Sequence, residues 1–345
     1  MFALRSVEKK DLKDLFELSK LMNFINLPSN IDLLEKKIKS SSECFHSPSA
    51  QFWKNYYIFV LEDLKENKVI GASMIHAQHG TPEEPHFFLK LGKEEKKSET
   101  LKKSFSHKTL KLGYETNGYS EIGGLVLNPS YRGNKEKLGK QLSFVRFLFM
   151  GLNPERFTKT IHSELMPPFD KSGSSPLWKA IGEKFFDMDY QKADTLSLSN
   201  KEFILSLYPS ETIYENLLPK EAREVIGQVG PHTKPVKKML ENIGFKFTNE
   251  VDPFDGGPHY RTPLKEIKPI KEMIKGTIQK AQDFNEKTSS NYLITLPTEK
   301  GQFYSVKIKA NVNNISKENA IMTIEPTLCE YFKIEEGQYF SAISL

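Results

Sequence analysis

Two cysteines, Cys44 and Cys329, are all that the 345 residues hold, so no disulfide framework is available and a reducing cytoplasm is expected. Neither lies in a catalytic cysteine motif, which leaves packing as the expected role of both. Long apolar runs are missing too: none approaches the ~20 residues a membrane span requires. The opening Met1-Phe2-Ala3-Leu4-Arg5-Ser6-Val7-Glu8 is charged too early for a secretory signal. Charge of one sign is scarce, with 49 Lys plus Arg against 44 Asp plus Glu, a net +5. Such a mild excess suits an anionic small ligand and argues against nucleic acid. Neither a Walker A loop nor G-x-G-x-x-G is present. His76 and His79 stand i,i+3 on an expected strand without a carboxylate motif, so no metal is expected.

What the chain does have is a strand, a basic glycine-containing loop and a helix in succession. Leu125, Val126 and Leu127 suit a buried strand, and Asn128-Pro129 closes it. Arg132-Gly133-Asn134 and Leu138-Gly139-Lys140 then open a segment whose Leu138, Leu142, Val145 and Phe149 recur at helical spacing. A helix start carries unpaired N–H groups and the positive end of a dipole, so Arg132, Gly133, Gly139 and Lys140 are candidate phosphate contacts. The arrangement resembles the acyl-CoA loop of the GNAT N-acyltransferases, usually R-x-x-G-x-G/A. Here Arg132 to Gly139 is longer than that pattern, and Lys137 stands where its first Gly would fall.

In chain order, Phe2 to Val7 predicts a strand, Lys10 to Leu21 and Ile31 to Ile38 predict helices, and Tyr57–Asp63 with Val69–Ile75 predicts a hairpin. The lysine-rich run from Lys93 to Lys111 reads as a solvated loop. Lys159 to Leu165 predicts a strand whose Glu164 can face a cleft or solvent. Helices are predicted from Pro176 behind a Ser175 cap, over Lys201–Leu207 and Glu221–Val225, and over Thr233–Ile243 with Thr233 as cap and Gly244 as stop. A strand follows over Phe245–Val251, and Asp255-Gly256-Gly257-Pro258 marks a rigid turn. Leu264, Ile267, Ile270, Ile274, Ile278 and Ala281 describe a further helix, and four short strands follow from Tyr292.

Six ordered motifs carry a closer resemblance. Tyr57-Ile58-Phe59-Val60-Leu61-Glu62-Asp63, Arg146-Phe147-Leu148-Phe149, Ser175-Pro176-Leu177-Trp178, Met188 to Asp194, Ile226-Gly227-Gln228-Val229 and Phe254-Asp255-Gly256-Gly257-Pro258 stand as they do in arginine N-succinyltransferases. The resemblance implies an α/β (α+β) GNAT-like fold: an acyltransferase domain over 1–262 with a helical insertion near 167–225, a helix and linker over 263–290, and a β-rich module over 291–345. It also implies an N-acyltransferase with succinyl-CoA as co-substrate, arginine or a related basic amino acid as acceptor, no resident cofactor, and an oligomer of like or unlike chains. The donor contact it implies is Leu125, with the amides of Leu125, Val126 and Leu127 near the thioester carbonyl. The family's proton donor is the His of I-G-Q-V-H-P, and here Gly230 holds that place. His232, two positions on, and Glu121, on the central strand, are the candidate acid–base groups.

Overall fold

The computed structural model describes residues 1–21, 27–197, 200–281, 284, 286–298, 302–314 and 316–345. In chain order the strands and helices are β1 (Phe2–Ser6), α1 (Leu12–Ser19), α2 (Ile31–His46), β2 (Tyr56–Asp63), β3 (Lys68–His79), β4 (His86–Ser98), β5 (Lys103–Glu115) and β6 (Tyr119–Leu127). Then come α3 (Leu138–Leu152), β7 (Thr160–Glu164), α4 (Pro176–Ala180), α5 (Gly182–Phe186), α6 (Tyr190–Ser197), α7 (Glu202–Leu207), β8 (Ile213–Tyr214), α8 (Lys220–Val225) and α9 (Lys234–Asn242). The remainder is β9 (Lys246–Val251), β10 (Pro258–Pro263), α10 (Lys268–Lys271), β11 (Ile274–Lys280), β12 (Ser290–Thr295), β13 (Tyr304–Asn314), β14 (Ala320–Ile324), α11 (Pro326–Tyr331) and β15 (Tyr339–Ser344).

These elements form two compact units. The first takes Met1–Gln78, Ser120–Lys159 and Pro263–Leu345; the second takes His79–Tyr119 and Thr160–Thr262. This division does not follow sequence order, because the C-terminal strands share a unit with the first strand. β13 pairs antiparallel with β1, Ala3 opposite Val306.

In the first unit, β1, β2, β3 and β6 lie side by side. β2 is buried on both faces and therefore reads as a continuous apolar run rather than an alternation. Ile58 and Val60 face a core with Leu15 and Leu18 of α1 and Leu34 and Ile38 of α2. Tyr57 and Phe59 meet Phe149 of α3, with ring centroids 5.0 and 5.4 Å away. The strands from β11 onward run in the order β12-β15-β11-β14-β13, and β12 also pairs with β13, which closes them into a small barrel. Closure removes the free edges that short strands otherwise expose. Its interior is apolar, from Ile278, Ile294, Val306, Met322 and Ala342.

β11 corrects the expected helix over 264–281. A 3-10 turn at Leu264–Glu266 and the short α10 precede it, and from Ile274 the chain is extended. Ile270, Ile274 and Ile278 recur every fourth residue, a spacing that satisfies a helix and, as every second position of an alternation, a strand. The strand buries Ile274, Gly276 and Ile278.

The second unit carries β7, β10, β9, β4, β5 and β8 in that order. β4 and β5 form a long antiparallel hairpin from His86–Glu115 to Ser98–Lys103, where the sequence predicted a loop. The lysines were a poor guide because the outer part of that ribbon is exposed on both strands. Helices α4 to α8 cover a core centred on Trp178, which is fully buried between Phe254 and Phe186 at centroid distances of 4.7 and 5.3 Å. Its indole N–H donates to Met188 O at 2.8 Å. Ser175 caps α4 by accepting from Trp178 N at 3.0 Å. Thr233 makes no side-chain cap to α9, contrary to expectation. The Asp255-Gly256-Gly257 turn is as rigid as its sequence suggests: Gly256 takes φ +80°, and Asp255 Oδ1 accepts from Gly257 N at 2.7 Å.

Candidate active site

The first unit holds the strand, loop and helix on which the sequence argument centred. β6 carries Glu121, Leu125, Val126 and Leu127, with Val126 buried and Leu125 and Leu127 half-buried. Ahead of Leu125 the strand bends, because Gly124 takes φ +55°. A Cβ there would be strained by its backbone and would meet Met74 Sδ at 2.5 Å, so glycine is required. Arg146, buried on α3, fixes the bend. Its Nη1 donates to Gly123 O at 3.2 Å, while Nε and Nη2 donate to Ser143 O and Oγ at 3.1 and 2.7 Å. A buried guanidinium engaged by three acceptors holds β6 against α3 at this bend.

After β6 the chain turns at Asn128, whose side chain accepts from Ser130 N at 3.0 Å. Arg132 and Gly133 are exposed in the loop, and Gly133 takes φ +74°. Lys137, the residue before α3, adopts a left-handed conformation at φ +54°, a shape more usual for glycine or asparagine. Its carbonyl accepts from Lys140 N and Gln141 N at 2.9 and 3.2 Å. The amides of Leu138 and Gly139 have no acceptor inside the helix, as at any helix start. A Cβ at Gly139 would meet nothing within 4 Å, so this helix end is open. Lys135, Lys137, Lys140 and Lys307 line a pocket beside it together with Asn291 and Glu136, whose carboxylate pairs with Lys307. Burial, then the charge of Lys137, lowers the Lys140 ammonium below its ordinary value. An anion bound there would relieve that repulsion.

Glu121 is half-buried on β6. The first unit also places Lys37 and Tyr56 within its electrostatic reach. Burial pulls the Lys37 ammonium down to about 8 against the opposing pull of Glu121. Burial, and then Glu121, pushes the Tyr56 hydroxyl up. Lys37 Nζ lies 5.1 Å from the centre of the Tyr56 ring, and the Tyr56 hydroxyl donates to Met74 Sδ at 2.7 Å. In the sequence Lys37 was one more charge on an amphipathic helix; only folding brings it within the electrostatic reach of Glu121.

The second unit holds the other candidate group. His232 is exposed on the turn before α9. Gly230 is buried in the same loop: its N–H donates to Met166 O at 2.9 Å, and a Cβ there would lie 2.9 Å from Pro167 O. Backbone packed on backbone leaves no room for a side chain without a shift.

The same unit assembles a polar cluster that no sequence spacing announces. Glu164 Oε1 on β7 lies 3.3 Å from His162 Nε2, 3.6 Å from His86 Nδ1 at the start of β4, and 3.7 Å from His259 Nε2 on β10. The three imidazoles are buried, while the Glu164 side chain keeps 30% of its exposure. Arg261 Nε donates to His162 Nδ1 at 3.2 Å, and Arg261 Nη2 pairs with Glu250 at 2.6 Å. Among the described residues, His86 Nε2 and both ring nitrogens of His259 have no hydrogen-bond partner. Leaving a buried polar atom unpaired costs about 1–3 kcal/mol. Burial, then the neighbouring histidines, holds His86 and His259 well below the usual imidazole range, so both are neutral. Around them Asp194 is pushed up to about 7 by burial and then by Asp252 and Glu164. Asp252 and Asp255 are raised by burial first and by neighbouring carboxylates next. His76 and His79, the pair noted in the sequence, go separate ways: His76 Nε2 meets Trp53 O at 3.0 Å, and His79 Nε2 meets Lys201 Nζ at 3.2 Å.

Comparison with known proteins fits these features. The family described as arginine N-succinyltransferase beta subunit matches residues 2–269. The arginine N-succinyltransferase of Yersinia pseudotuberculosis is 36% identical over 281 residues, 81% of this chain and 79% of that protein. That of Photorhabdus laumondii is 34% identical over 285 residues, 82% of each. Among solved structures, arginine/ornithine succinyltransferase subunit AI from Pseudomonas aeruginosa superposes with a TM-score of 0.82 at 26% identity, covering 100% of this chain and 98% of that one. The six ordered motifs, the mixed α/β fold and these matches agree: the chain belongs to the arginine N-succinyltransferase family, a family of acyl-CoA-dependent N-acyltransferases.

Proposed function

We propose that this chain transfers the succinyl group of succinyl-CoA to the α-amino group of arginine or a related basic amino acid. The bend of β6 leading to the open, lysine-flanked start of α3 carries the reading, since it offers main-chain amides to a thioester carbonyl and N–H groups with ammonium charges to phosphates. In the reaction the amine nitrogen bonds to the thioester carbon, and the C–S bond breaks as the tetrahedral intermediate collapses. The amine gives up a proton to a base, and the CoA thiolate takes one from an acid. An α-amine with pKa ~8 is mostly protonated at neutral pH, so the base must also draw it into its neutral form. Amides of the Leu125–Leu127 stretch that point away from β3 stabilise the oxyanion, each well-placed donor contributing about 3 kcal/mol.

Glu121, beside Lys37 and Tyr56, is the base we favour, and His232 is the alternative. Glu121→Gln and His232→Ala, each with thiol release followed under saturating substrates, separate them. A loss of about tenfold or more marks the group that moves the proton, and two unchanged rates would remove both from the mechanism. Assembly of more than one chain and residence in the cytoplasm complete the proposal, the latter supported by two unpaired cysteines.

Gly230 favours a second reading, a subunit whose own acid–base group is lost and whose activity needs a second chain. The close contact of Gly230 with Pro167 is what a family histidine at that place would have to disturb. Assaying the chain alone and mixed with an authentic family member distinguishes the two readings.

A further inference from the structure

We propose that His86, His162, His259 and Glu164 form a four-coordinate site for a divalent transition cation, zinc being the best fit, that clasps β4, β7 and β10 of the second unit. The inference is independent of the acyl-transfer reading and concerns how this unit is held.

Geometry carries it. Four donors about 2.0–2.1 Å from one centre stand about 3.3–3.4 Å apart in a tetrahedron. Glu164 Oε1 lies 3.3, 3.6 and 3.7 Å from the three nearest imidazole nitrogens. All four donor atoms lie within 4.8 Å of one another. Three imidazoles on such an ion place their ring centres about 5 Å apart. Here the separations are 4.8 Å for His86–His162, 5.2 Å for His86–His259 and 4.9 Å for His162–His259. The rings are buried and, among the described residues, His259 has no hydrogen-bond partner on either nitrogen, which is hard to rationalise for a group serving only to pack. Neutral imidazole and carboxylate are the ligand types that zinc takes, and partly exposed Glu164 leaves a route in.

Arg261 sets the one condition. In the ion-free arrangement its Nε–H donates to His162 Nδ1, so the His162 proton sits on Nε2, facing Glu164. A cation on Nε2 requires that proton on Nδ1. Loading therefore moves it across the ring without net release, and Arg261 gives up this bond while keeping Glu250 at 2.6 Å. Pairing with Glu250 also tempers the repulsion between the guanidinium and the ion.

The test uses the full chain, stripped with a chelator and titrated with Zn²⁺ by calorimetry, with Co²⁺ as a spectroscopic substitute. One ion per chain, intense visible bands of four-coordinate cobalt and a melting point raised by several degrees on adding zinc are expected. His259→Leu and, separately, His86→Leu should weaken binding by at least ~100-fold, while His46→Ala in the first unit leaves it unchanged. Far-ultraviolet circular dichroism confirms that each variant is folded, and Glu164→Gln serves if neither histidine variant is. The proposal is overturned if the wild-type chain takes up no zinc in tenfold excess, or if folded variants bind as tightly as wild type.

Discussion

The two units keep their polar chemistry in opposite ways. In the first, the candidate site follows the chain: Glu121, the Gly124 bend, Leu125 to Leu127, the Asn128 turn and Lys137 to Lys140 succeed one another along one strand, one loop and one helix start. Besides Glu121 and Glu136, its polar groups are main-chain amides and ammonium ions at an open helix end. In the second, His86, Glu164 and His259 come from three strands far apart in sequence, and the cluster they make sets buried imidazoles, those of His86 and His259 held neutral, against a half-buried carboxylate. The first arrangement suits holding a large anionic donor, the second a small cation or a fixed framework. If the CoA ester binds the first unit as proposed, backbone geometry rather than any one side chain sets its site.

The strongest way to break this comparison is at the bend. Gly124→Val forces a branched side chain onto a φ of +55° and against Met74; turnover should fall by at least ~100-fold with the fold retained, because the amides proposed to meet the oxyanion are displaced. A near-normal rate in steady-state thiol release would show that the bend does not matter. Next in size is Trp178→Ala, which empties the centre of the second unit and should lower stability by about 3–5 kcal/mol in urea unfolding, while a change below about 1 kcal/mol would mean that its core collapses freely. Lys137→Gly combined with Lys140→Gln removes charge while easing the left-handed residue. It should raise KM for the CoA ester about tenfold and leave kcat nearly unchanged, with the difference shrinking in high salt.

These expectations rest unequally on the sequence. The β6–α3 unit was legible because its signals are local: a short apolar run, an Asn-Pro turn and a 3.6-residue period in Leu138, Leu142, Val145 and Phe149. The barrel strands β12 to β15 were legible for the same reason. The histidine cluster was not, since three histidines from positions 86, 162 and 259 share no spacing, and the pair that did, His76 and His79, proved unrelated. Lys37 escaped notice because a lysine on a polar helix face is ordinary until folding buries it. Nor did the sequence show that the last strands join the first unit, which depends on β1 accepting β13 as a neighbour.

The smallest predicted effect concerns Asp194, whose carboxyl is raised to about 7 by burial and by its acidic neighbours. A carboxyl protonated in the folded chain but ionised in the unfolded one makes stability fall as pH rises from about 4 to 7, after which the deficit is constant. Asp194→Asn should therefore raise the melting point more at pH 8 than at pH 5. Equal shifts at both pH values would show that Asp194 titrates normally.

Product identity is the decisive measurement for the proposed succinyl transfer. The chain is incubated with succinyl-CoA and arginine or ornithine, alone and mixed with a second family chain, and the amino acid is recovered for mass spectrometry and sequencing of the modified position. One succinyl group on the α-nitrogen, formed in step with free CoA thiol, is expected. An amino acid recovered unmodified from every mixture, with thiol appearing no faster than by spontaneous hydrolysis, would contradict it.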